Sequence, residues 1–175
     1  MDKTIAIVGP SGSGKTELIC HLVDWFQDQG LKVAVLKHSH KLGLGDEGKD
    51  TWRYRQTGAH IVALTAPGLM QITHYIAEDP PLAKVLIALA PEVDLILVEG
   101  YKSSSLPKIA LVGLKLEKVL PDNSQVIALV SPDPLKAEVP VFQPRQVVPL
   151  GQFILEYLGI SLPLLSAASS ISIKP

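Results

Sequence analysis

The chain has 175 residues, 47% of them hydrophobic, so it is long enough to bury a core and short enough to form one domain. Its 16 lysines and arginines and 17 aspartates and glutamates leave a formal net charge of -1, which argues against nucleic acid as a partner. The only cysteine, Cys20, excludes an internal disulfide, and the first residues, MDKTIAIVG, lack the features of a secretory signal. Since the apolar runs are also far shorter than the roughly 20 residues that cross a bilayer, we expect a cytoplasmic protein that makes no contact with a membrane.

The first 37 residues predict a strand, a helix and a second strand. Thr4–Val8 is a short apolar run that ends at a glycine, which is typical of a parallel strand covered on both faces. Between residues 15 and 29, apolar side chains recur at helical spacing, and Gly30 follows where a left-handed glycine often ends a helix. Residues 31–37 form the second apolar run, so the unit predicts two parallel strands joined by a right-handed crossover.

Beyond residue 37, strands and helices continue to alternate. We expect a short helix over residues 50–57, two paired strands on either side of Pro67-Gly68, a helix that begins at Pro80-Pro81, and buried strands over residues 93–98, 109–112 and 126–130. This order predicts an α/β fold of the P-loop NTPase type, with a mostly parallel sheet flanked by helices and an added β-hairpin. We expect residues 1–158 to form a single nucleotide-binding domain and residues 159–175 to form a C-terminal tail without a regular period.

A phosphate-binding motif connects the first predicted strand to the first predicted helix. Its glycines allow backbone N–H groups to converge on phosphate oxygens, and the helix that begins at Lys15 adds the positive end of its dipole. We expect Lys15 to reach the β and γ phosphates and the Thr16 hydroxyl to ligate Mg²⁺, so the sequence predicts a site for a nucleoside triphosphate. The full motif, which matches the pattern G-x-x-x-x-G-K-[ST], is Gly9-Pro10-Ser11-Gly12-Ser13-Gly14-Lys15-Thr16.

A magnesium site beside a P-loop also needs an acidic residue at the end of a neighbouring buried strand. Glu99 closes the apolar run Leu95-Ile96-Leu97-Val98 and is followed by Gly100, where the chain can turn away. Glu99 is therefore our candidate for holding Mg²⁺, directly or through water. The alternative is an ordinary surface glutamate at a strand end. Asp94, at the other end of the run, is expected to be a solvated boundary residue.

Residues 37–55 concentrate positive charge after the second predicted strand. Six cations between Lys32 and Arg55 face only three acidic residues, and this local excess favours an anionic ligand such as a phosphate or pterin group. His38 and His40 are alternative metal ligands because imidazole suits zinc or nickel, although two histidines are too few for a closed site. A third alternative is a loop of solvated charges.

Asp133 lies between two prolines shortly after the last predicted strand. A carboxylate at that position can accept hydrogen bonds from N1 and N2 of a guanine and so select GTP over ATP. The alternative is that Asp133 serves the geometry of the turn, a common role of aspartate. The N-K-x-D motif that reads guanine in regulatory GTPases is absent from the sequence.

Four segments, taken as a set and in order, resemble those of a known family: GPSGSGKT, KHSH, GKDTWRYRQTGA and DLILVEGYKSSSLPKI. The set resembles the MobB family of molybdopterin-guanine dinucleotide biosynthesis adapter proteins, over roughly residues 3 to 158. The resemblance implies a homodimer with a P-loop α/β fold that binds GTP with Mg²⁺ and hydrolyses GTP slowly at best. It also implies a partnership with a MobA-type guanylyltransferase, which attaches GMP to molybdopterin.

The resemblance further implies roles for individual residues. Glu99 falls at the acidic Walker B position of the family. The phosphate-binding positions are occupied by Gly12, Gly14, Lys15 and Thr16. Further matches to the family motifs are His38, Lys49, Asp50, Arg53, Lys102 and Lys108. Our candidates for contacts with GTP or with a bound molybdopterin are His38, Arg53, Lys102 and Lys108.

Three functions fit the residues and the resemblance. An adapter that holds GTP is favoured, because no general base for fast hydrolysis stands out. A small-molecule kinase would need a positioned aspartate, such as Asp46 or Asp50, to accept the proton of the substrate hydroxyl. A metallochaperone GTPase of the nickel-insertion type shares the GPxGSGKT loop, but such proteins usually carry a His-rich or Cys-Pro-His motif that this sequence lacks.

Overall fold

The computed structural model describes residues 3–39, 45–112 and 125–163. The chain forms two compact units, the first made by Met1–His38 and Leu86–Pro175 and the second by Ser39–Val85. Within the described residues, no helix is both long and apolar enough to cross a membrane. The expectation of a single domain over residues 1–158 stays a prediction.

The described residues form eight strands, four α-helices and one 3₁₀ turn. Their order and bounds are β1 (Thr4–Val8), α1 (Lys15–Asp28), β2 (Val33–Lys37), α2 (Asp50–Gln56), β3 (Ile61–Ala66), β4 (Leu69–His74), α3 (Leu82–Leu89), a 3₁₀ turn (Ala90–Glu92), β5 (Leu95–Glu99), β6 (Lys108–Leu111), β7 (Val126–Val130), β8 (Val141–Phe142) and α4 (Val147–Leu158). Helix α3 begins in the second unit and ends in the first.

The first unit contains a six-stranded sheet in the order β2-β5-β1-β6-β7-β8. Every neighbouring pair of its strands is parallel. All residues of β1 and β6 are buried, as are the first four of β5. Strands covered on both faces need unbroken runs of apolar residues, and such runs can be recognised in the sequence. The sheet confirms the predicted P-loop-type α/β fold.

The register of the sheet brings strand ends together at the P-loop. Ile7, near the end of β1, pairs with Glu99 of β5 on one side and with Ile109 of β6 on the other. The N–H of Gly100 donates to the carbonyl of Ile7 at 3.2 Å. Strand β1 therefore delivers the chain into the loop at Gly9, and β5 places Glu99 beside that loop.

Helices α1 and α4 pack against each other at a glycine. The apolar face of α1 is buried in the core through residues that include Leu22 and Phe26, and α4 contributes Leu150 and Ile154 to the same core. A Cβ added at Gly151 of α4 would lie only 2.4 Å from two ring carbons of Trp25 on α1. The close approach of the two helices therefore leaves no room for a side chain at residue 151.

In the second unit, β3 and β4 form the hairpin that the sequence predicts. The two strands are antiparallel, with Ile61 opposite His74 and Thr65 opposite Met70. Gly68 in the turn has a φ of 73°, a left-handed conformation that suits glycine in a two-residue turn. The hairpin thus forms a separate two-stranded sheet.

Helix α2 precedes the hairpin in the second unit. Its Arg55 forms an ion pair with Asp46 at 3.6 Å, and the guanidinium carbon lies 5.4 Å from the centre of the Tyr75 ring. The Thr51 hydroxyl donates to the same Asp46 carboxylate at 3.2 Å. Asp46 is therefore engaged with two partners, which argues against a free catalytic base at this position.

The sequence did not predict two elements of the first unit, β8 and α4. Strand β8 has only two residues and lies in the proline-rich run VPVFQP, which does not show a strand pattern. Helix α4 begins VVPLG, where two β-branched residues, a proline and a glycine lower the helical propensity. Packing of Leu150 and Ile154 in the core stabilises the helix in spite of that composition. Gly159 ends α4, and most of the predicted tail, residues 164–175, lies outside the described residues.

Candidate functional site

Glycines shape the loop between β1 and α1. Gly9 has a φ of 155°, and a Cβ added there would lie 2.9 Å from the carbonyl oxygen of Leu111. Gly12 and Gly14 have φ values of 74° and 86°, a left-handed region that other side chains disfavour. Close packing thus requires glycine at the first position, and backbone conformation requires it at the other two. The resulting backbone can approach a ligand without obstruction by side chains.

The loop leads into the first turn of α1. The N–H of Ser13 donates to the carbonyl of Pro10 at 3.3 Å, and the carbonyl of Gly14 accepts from the N–H of Leu18 at 2.9 Å. The first N–H groups of a helix have no partners within the helix and carry the positive end of its dipole. Loop and helix therefore offer donors to an anion such as phosphate. The buried hydroxyl oxygen of Ser13 has no hydrogen-bond partner among the described residues.

Lys15 folds back over the loop. Its ammonium donates to the carbonyl of Pro10 at 2.6 Å. Partial burial lowers the pKa of Lys15 from its usual value; Glu99 nearby raises this pKa, and the positive charges of Lys102 and Lys37 lower it. Three lysines and one glutamate thus lie within electrostatic reach of one another at the loop.

Glu99 links the loop to β2. Its carboxylate accepts a hydrogen bond from the Thr16 hydroxyl at 3.1 Å and forms an ion pair with the Lys37 ammonium at 3.2 Å. Only 12% of the Glu99 side chain is exposed, compared with 56% of Lys37. These three residues line a cavity of about 500 Å³. The structure therefore brings together Thr16 and Glu99, the two residues proposed from the sequence as magnesium ligands, with oxygen donors of the type that Mg²⁺ prefers.

His38 follows β2 and lies beside Glu99 of the neighbouring strand β5. Its N–H donates to the carbonyl of Glu99 at 3.2 Å, and its ring lies 4.7 Å from the ring of Tyr101. Tyr101 has a φ of 51°, a left-handed conformation that is uncommon for a residue with a side chain. The turn after Glu99 thus places an aromatic ring against His38 at the edge of the site.

Lys102 and Lys108 have opposite environments. Lys102 is exposed in the segment after Glu99 and acts electrostatically on Lys15. Lys108, in β6, is only 4% exposed, and its ammonium donates to the carbonyls of Ser104 and Leu106 at 2.5 Å and 3.1 Å. A direct contact between the Lys108 ammonium and a ligand would require this segment to move away.

Two cavities flank the loop on the side of β6 and β7. The smaller, about 300 Å³, is lined by residues that include Pro10, Ser11, Gly12 and Pro132. The larger, about 590 Å³, extends along α1 and is lined by Ser13, Gly14, Glu17 and Arg145 among others. Asp133 is exposed, its N–H donates to the Ser131 hydroxyl at 3.2 Å, and it lines neither of these two cavities. Its hydrogen bond is of the kind found in turns.

The remaining sequence candidates lie in the second unit or outside the described residues. Lys49 precedes α2, Asp50 is the first residue of α2, and Arg53 is exposed on that helix. His40 lies outside the described residues. Across residues 3–39, 45–112 and 125–163, no group of three or more histidine, cysteine, aspartate or glutamate side chains is arranged to hold a metal ion.

Sequence reasoning did not assign three polar residues that the structure places beside the loop. Lys37 belongs to the KHSH run, and its position at the end of a strand was the available signal for a contact with Glu99. Glu17 and Arg145 line the larger cavity. Arg145 follows the unassigned strand β8, so no feature of the sequence indicated its place near the loop.

Comparison with known proteins identifies relatives over most of the chain. The sequence profile of the family MobB, described as Molybdopterin guanine dinucleotide synthesis protein B, matches residues 4–132. The molybdopterin-guanine dinucleotide biosynthesis adapter protein of Haemophilus influenzae is 32% identical over 161 residues, which cover 88% of each chain. The protein of the same name from Escherichia coli is 28% identical over 162 residues, which cover 88% of this chain and 92% of the relative.

Solved structures agree with these sequence relationships. A crystal structure of Bacillus subtilis MobB superposes with a TM-score of 0.72 at 27% identity and covers 89% of this chain and 97% of the other. A crystal structure of molybdopterin-guanine biosynthesis protein B has the same fold, with a TM-score of 0.74 at 24% identity and coverage of 87% and 98%. The chain, with its P-loop between β1 and α1, therefore belongs to the MobB family of molybdopterin guanine dinucleotide synthesis proteins.

Proposed function

We propose that the chain is an adapter in the formation of molybdopterin guanine dinucleotide, which holds Mg²⁺-GTP at its P-loop and assists a MobA-type guanylyltransferase. The observation that carries the proposal is the convergence of Lys15, Thr16 and Glu99 at the P-loop, within a chain whose relatives are named as adapters of this biosynthesis. A cytoplasmic location follows from the same role.

The phosphates are proposed to bind along residues Gly9 to Thr16. Gly12 and Gly14 leave the backbone N–H groups accessible, and the first turn of α1 adds its dipole. Lys15 is already partly desolvated, so its ammonium has less hydration to lose when it exchanges the Pro10 carbonyl for phosphate oxygens. Pro10, Ser11 and Ser13 complete the loop. Burial of the unpartnered Ser13 hydroxyl supports a further contact when phosphate is bound.

Thr16 and Glu99 are proposed to hold the magnesium ion. A hydroxyl and a carboxylate 3.1 Å apart form a pair of oxygen donors that fits a small divalent cation. Bound Mg²⁺ would neutralise part of the charge of the triphosphate. Lys37 shares the Glu99 carboxylate in the structure, so its ammonium balances the negative charge of Glu99 before the metal binds.

The same contacts support slow hydrolysis at best. Glu99 accepts a hydrogen bond from Thr16 and pairs with Lys37, so its carboxylate is not free to act as a general base. In the second unit, Asp46 is likewise engaged by Arg55 and Thr51. This arrangement favours a holding site over the small-molecule kinase. The structure gives no support for a nickel-type metallochaperone, because the described residues contain no group of three or more histidine, cysteine, aspartate or glutamate side chains that could hold a metal ion.

Four further residues are proposed to select guanine or to contact phosphate groups. Asp133 is proposed to read guanine, because a carboxylate suits the two N–H donors of the base. In the first unit, His38, beside Glu99, is proposed to contact the molybdopterin phosphate, and Lys102, near Lys15, is proposed to contact the triphosphate of GTP. Arg53 offers an exposed guanidinium to the same class of ligand in the second unit.

The hairpin is proposed to form the interface of a homodimer. Ile61, Met70 and Ile72 share one face of the hairpin and are 56%, 68% and 49% exposed. Such a group of exposed apolar side chains usually marks an interaction surface. Isologous pairing of two copies would bury this face.

A double substitution tests this interface. Met70→Asp combined with Ile72→Asp should weaken dimerisation by at least about 100-fold, since each apolar side chain contributes on the order of 1.5 kcal/mol or more when buried. Sedimentation velocity over a range of protein concentrations measures the effect. Ile87→Asp on α3, where the side chain is 73% exposed, is the matched control and should leave the dimer intact. A double variant that dimerises like the unmodified chain would refute the hairpin interface.

Reconstituted guanylyl transfer tests the proposed function as a whole. With molybdopterin, a MobA-type enzyme and limiting GTP, the unmodified chain should increase the rate at which GMP is attached. The Lys15→Ala variant should not increase this rate, whereas Lys32→Ala, at the opposite end of the sheet, should act like the unmodified chain. An unchanged rate in the presence of a chain that has bound GTP would contradict the adapter role.

A further inference from the structure

Lys108 is a charged residue at a position where the sheet requires apolar ones. It lies in β6 opposite Ala6 of β1, it is 4% exposed, and the rest of β6, Ile109–Leu111, is apolar and buried. Burial of an ammonium group is costly unless hydrogen-bond acceptors replace its hydration shell. A lysine at this position therefore needs polar partners inside the sheet.

The Lys108 ammonium donates to a segment that lies before β6 in the chain. Among its acceptors are the carbonyls of Ser104 and Leu106, at 2.5 Å and 3.1 Å, in the turn that joins Glu99 to β6. The turn is closed by the Ser104 N–H, which donates to the carbonyl of Tyr101 at 2.9 Å. The buried hydroxyl oxygen of Ser104 has no hydrogen-bond partner within the part of the chain that the structure describes. Lys108 thus anchors the turn from inside the sheet.

This turn carries side chains of the proposed site. Lys102 lies within it, and its positive charge helps to lower the pKa of Lys15. Tyr101 holds its ring against His38 and adopts the uncommon φ of 51°. A backbone conformation of this kind persists only where neighbouring contacts enforce it. The carbonyls that Lys108 binds follow Tyr101 and Lys102 by only a few residues.

We propose that Lys108 is a positioning residue for the phosphate site: its buried ammonium fixes residues 101–107 so that the exposed Lys102 ammonium faces the triphosphate held at Lys15. The proposal rests on the proposed binding of GTP at the P-loop. The family motif suggests that Lys108 contacts a ligand directly. In this proposal Lys108 acts on the ligand indirectly, through Lys102. Methionine at residue 108 would preserve most of the apolar packing but leave the carbonyls of Ser104 and Leu106 without this donor.

A double-mutant cycle in the full chain tests the proposal. Lys102→Ala and Lys108→Met should each weaken Mg²⁺-GTP binding by about tenfold, as expected for loss of one charge-assisted contact. The two substitutions combined should weaken it no more than either alone, because Lys108 acts through Lys102. Titration calorimetry measures the four affinities, with Lys32→Ala as the control for loss of a lysine. Additive effects, or wild-type affinity in a folded Lys108→Met variant, would overturn the proposal.

Hydrogen exchange separates positioning from a general loss of structure. In Lys108→Met, amides of residues 101–106 should exchange faster while those of β1 and β5 keep their protection. Should this variant not fold, Ser103→Gly with Ser105→Gly loosens the turn at two exposed positions and leaves Lys108 in place. This glycine variant should lose GTP affinity to a similar extent, and full affinity in it would refute the proposal. Absence of GTP binding to the unmodified chain would instead refute the proposed function itself.

Discussion

Replacement of Lys15 by alanine is expected to lower the affinity for Mg²⁺-GTP by about 100-fold or more. The ammonium is proposed to bridge the β and γ phosphates, and each charge-assisted hydrogen bond contributes about 1.5 to 3 kcal/mol. Burial already lowers the pKa of Lys15, so its ammonium is partly stripped of water before the ligand arrives. The alanine variant loses the proposed contact between this ammonium and the phosphates. Titration calorimetry with Mg²⁺-GTP measures the change in affinity.

The effect of Lys15→Ala should be confined to the nucleotide site. The fold should be unaffected, because the Lys15 ammonium donates to the exposed Pro10 carbonyl of the loop and the side chain is absent from the core. The circular dichroism spectrum and the melting temperature should therefore match those of the unmodified chain. Lys32→Ala removes the same charge at the amino end of β2 and should bind GTP normally. Equal GTP affinity in Lys15→Ala and Lys32→Ala would refute the assignment of Lys15.

Replacement of Glu99 by alanine is expected to weaken the binding of the magnesium ion that accompanies GTP. Loss of one ligand to the ion should raise the Mg²⁺ concentration needed for half-maximal binding by about 10- to 100-fold. Without Mg²⁺, GTP should bind the variant at least as well as the unmodified chain, since Lys15 and Lys37 then lack a competing carboxylate. Both effects are measured by titrating Mg²⁺ and following GTP binding, with a chelator in one sample to give the affinity for GTP in the absence of free Mg²⁺.

Asp94 supplies the matched control for Glu99. It precedes the same strand at the opposite end, where its carboxylate accepts a hydrogen bond from the N–H of Lys32 at 2.8 Å. Asp94→Asn removes one negative charge and keeps an acceptor, so its Mg²⁺ dependence should not change. If Glu99→Ala and Asp94→Asn gave the same magnesium titration as the unmodified chain, Glu99 would have no role in metal binding.

The parts of the fold that the sequence predicts are those with strong local signals. Unbroken apolar runs marked β1, β5 and β7, because parallel strands covered on both faces admit few polar residues. The P-loop was readable because its glycines have left-handed φ values that few other residues tolerate. Helix α4 was not readable, since a proline and a glycine interrupt its first turns and the tertiary packing around Gly151 compensates for them.

The site shows the same division. The sequence predicted Thr16 and Glu99 as ligands of one magnesium ion, and the pairing of β1 with β5 brings their side-chain oxygens within 3.1 Å of each other. Spacing along the chain contains no information on such distances between strands. Lys108 shows the reverse case, because its motif suggests a ligand contact while the structure buries it under the turn. A lysine at the start of an apolar strand is compatible with either environment.

The most direct test of a nucleotide-holding adapter is a calorimetric titration of the unmodified chain with GTP and with ATP in Mg²⁺, followed by measurement of phosphate release in the same samples. We predict saturable binding of GTP that is tighter than that of ATP, together with GTP turnover far below the roughly 1 to 1,000 per second that is typical of enzymes. Absence of GTP binding, a preference for ATP, or turnover within the enzymatic range would contradict this prediction.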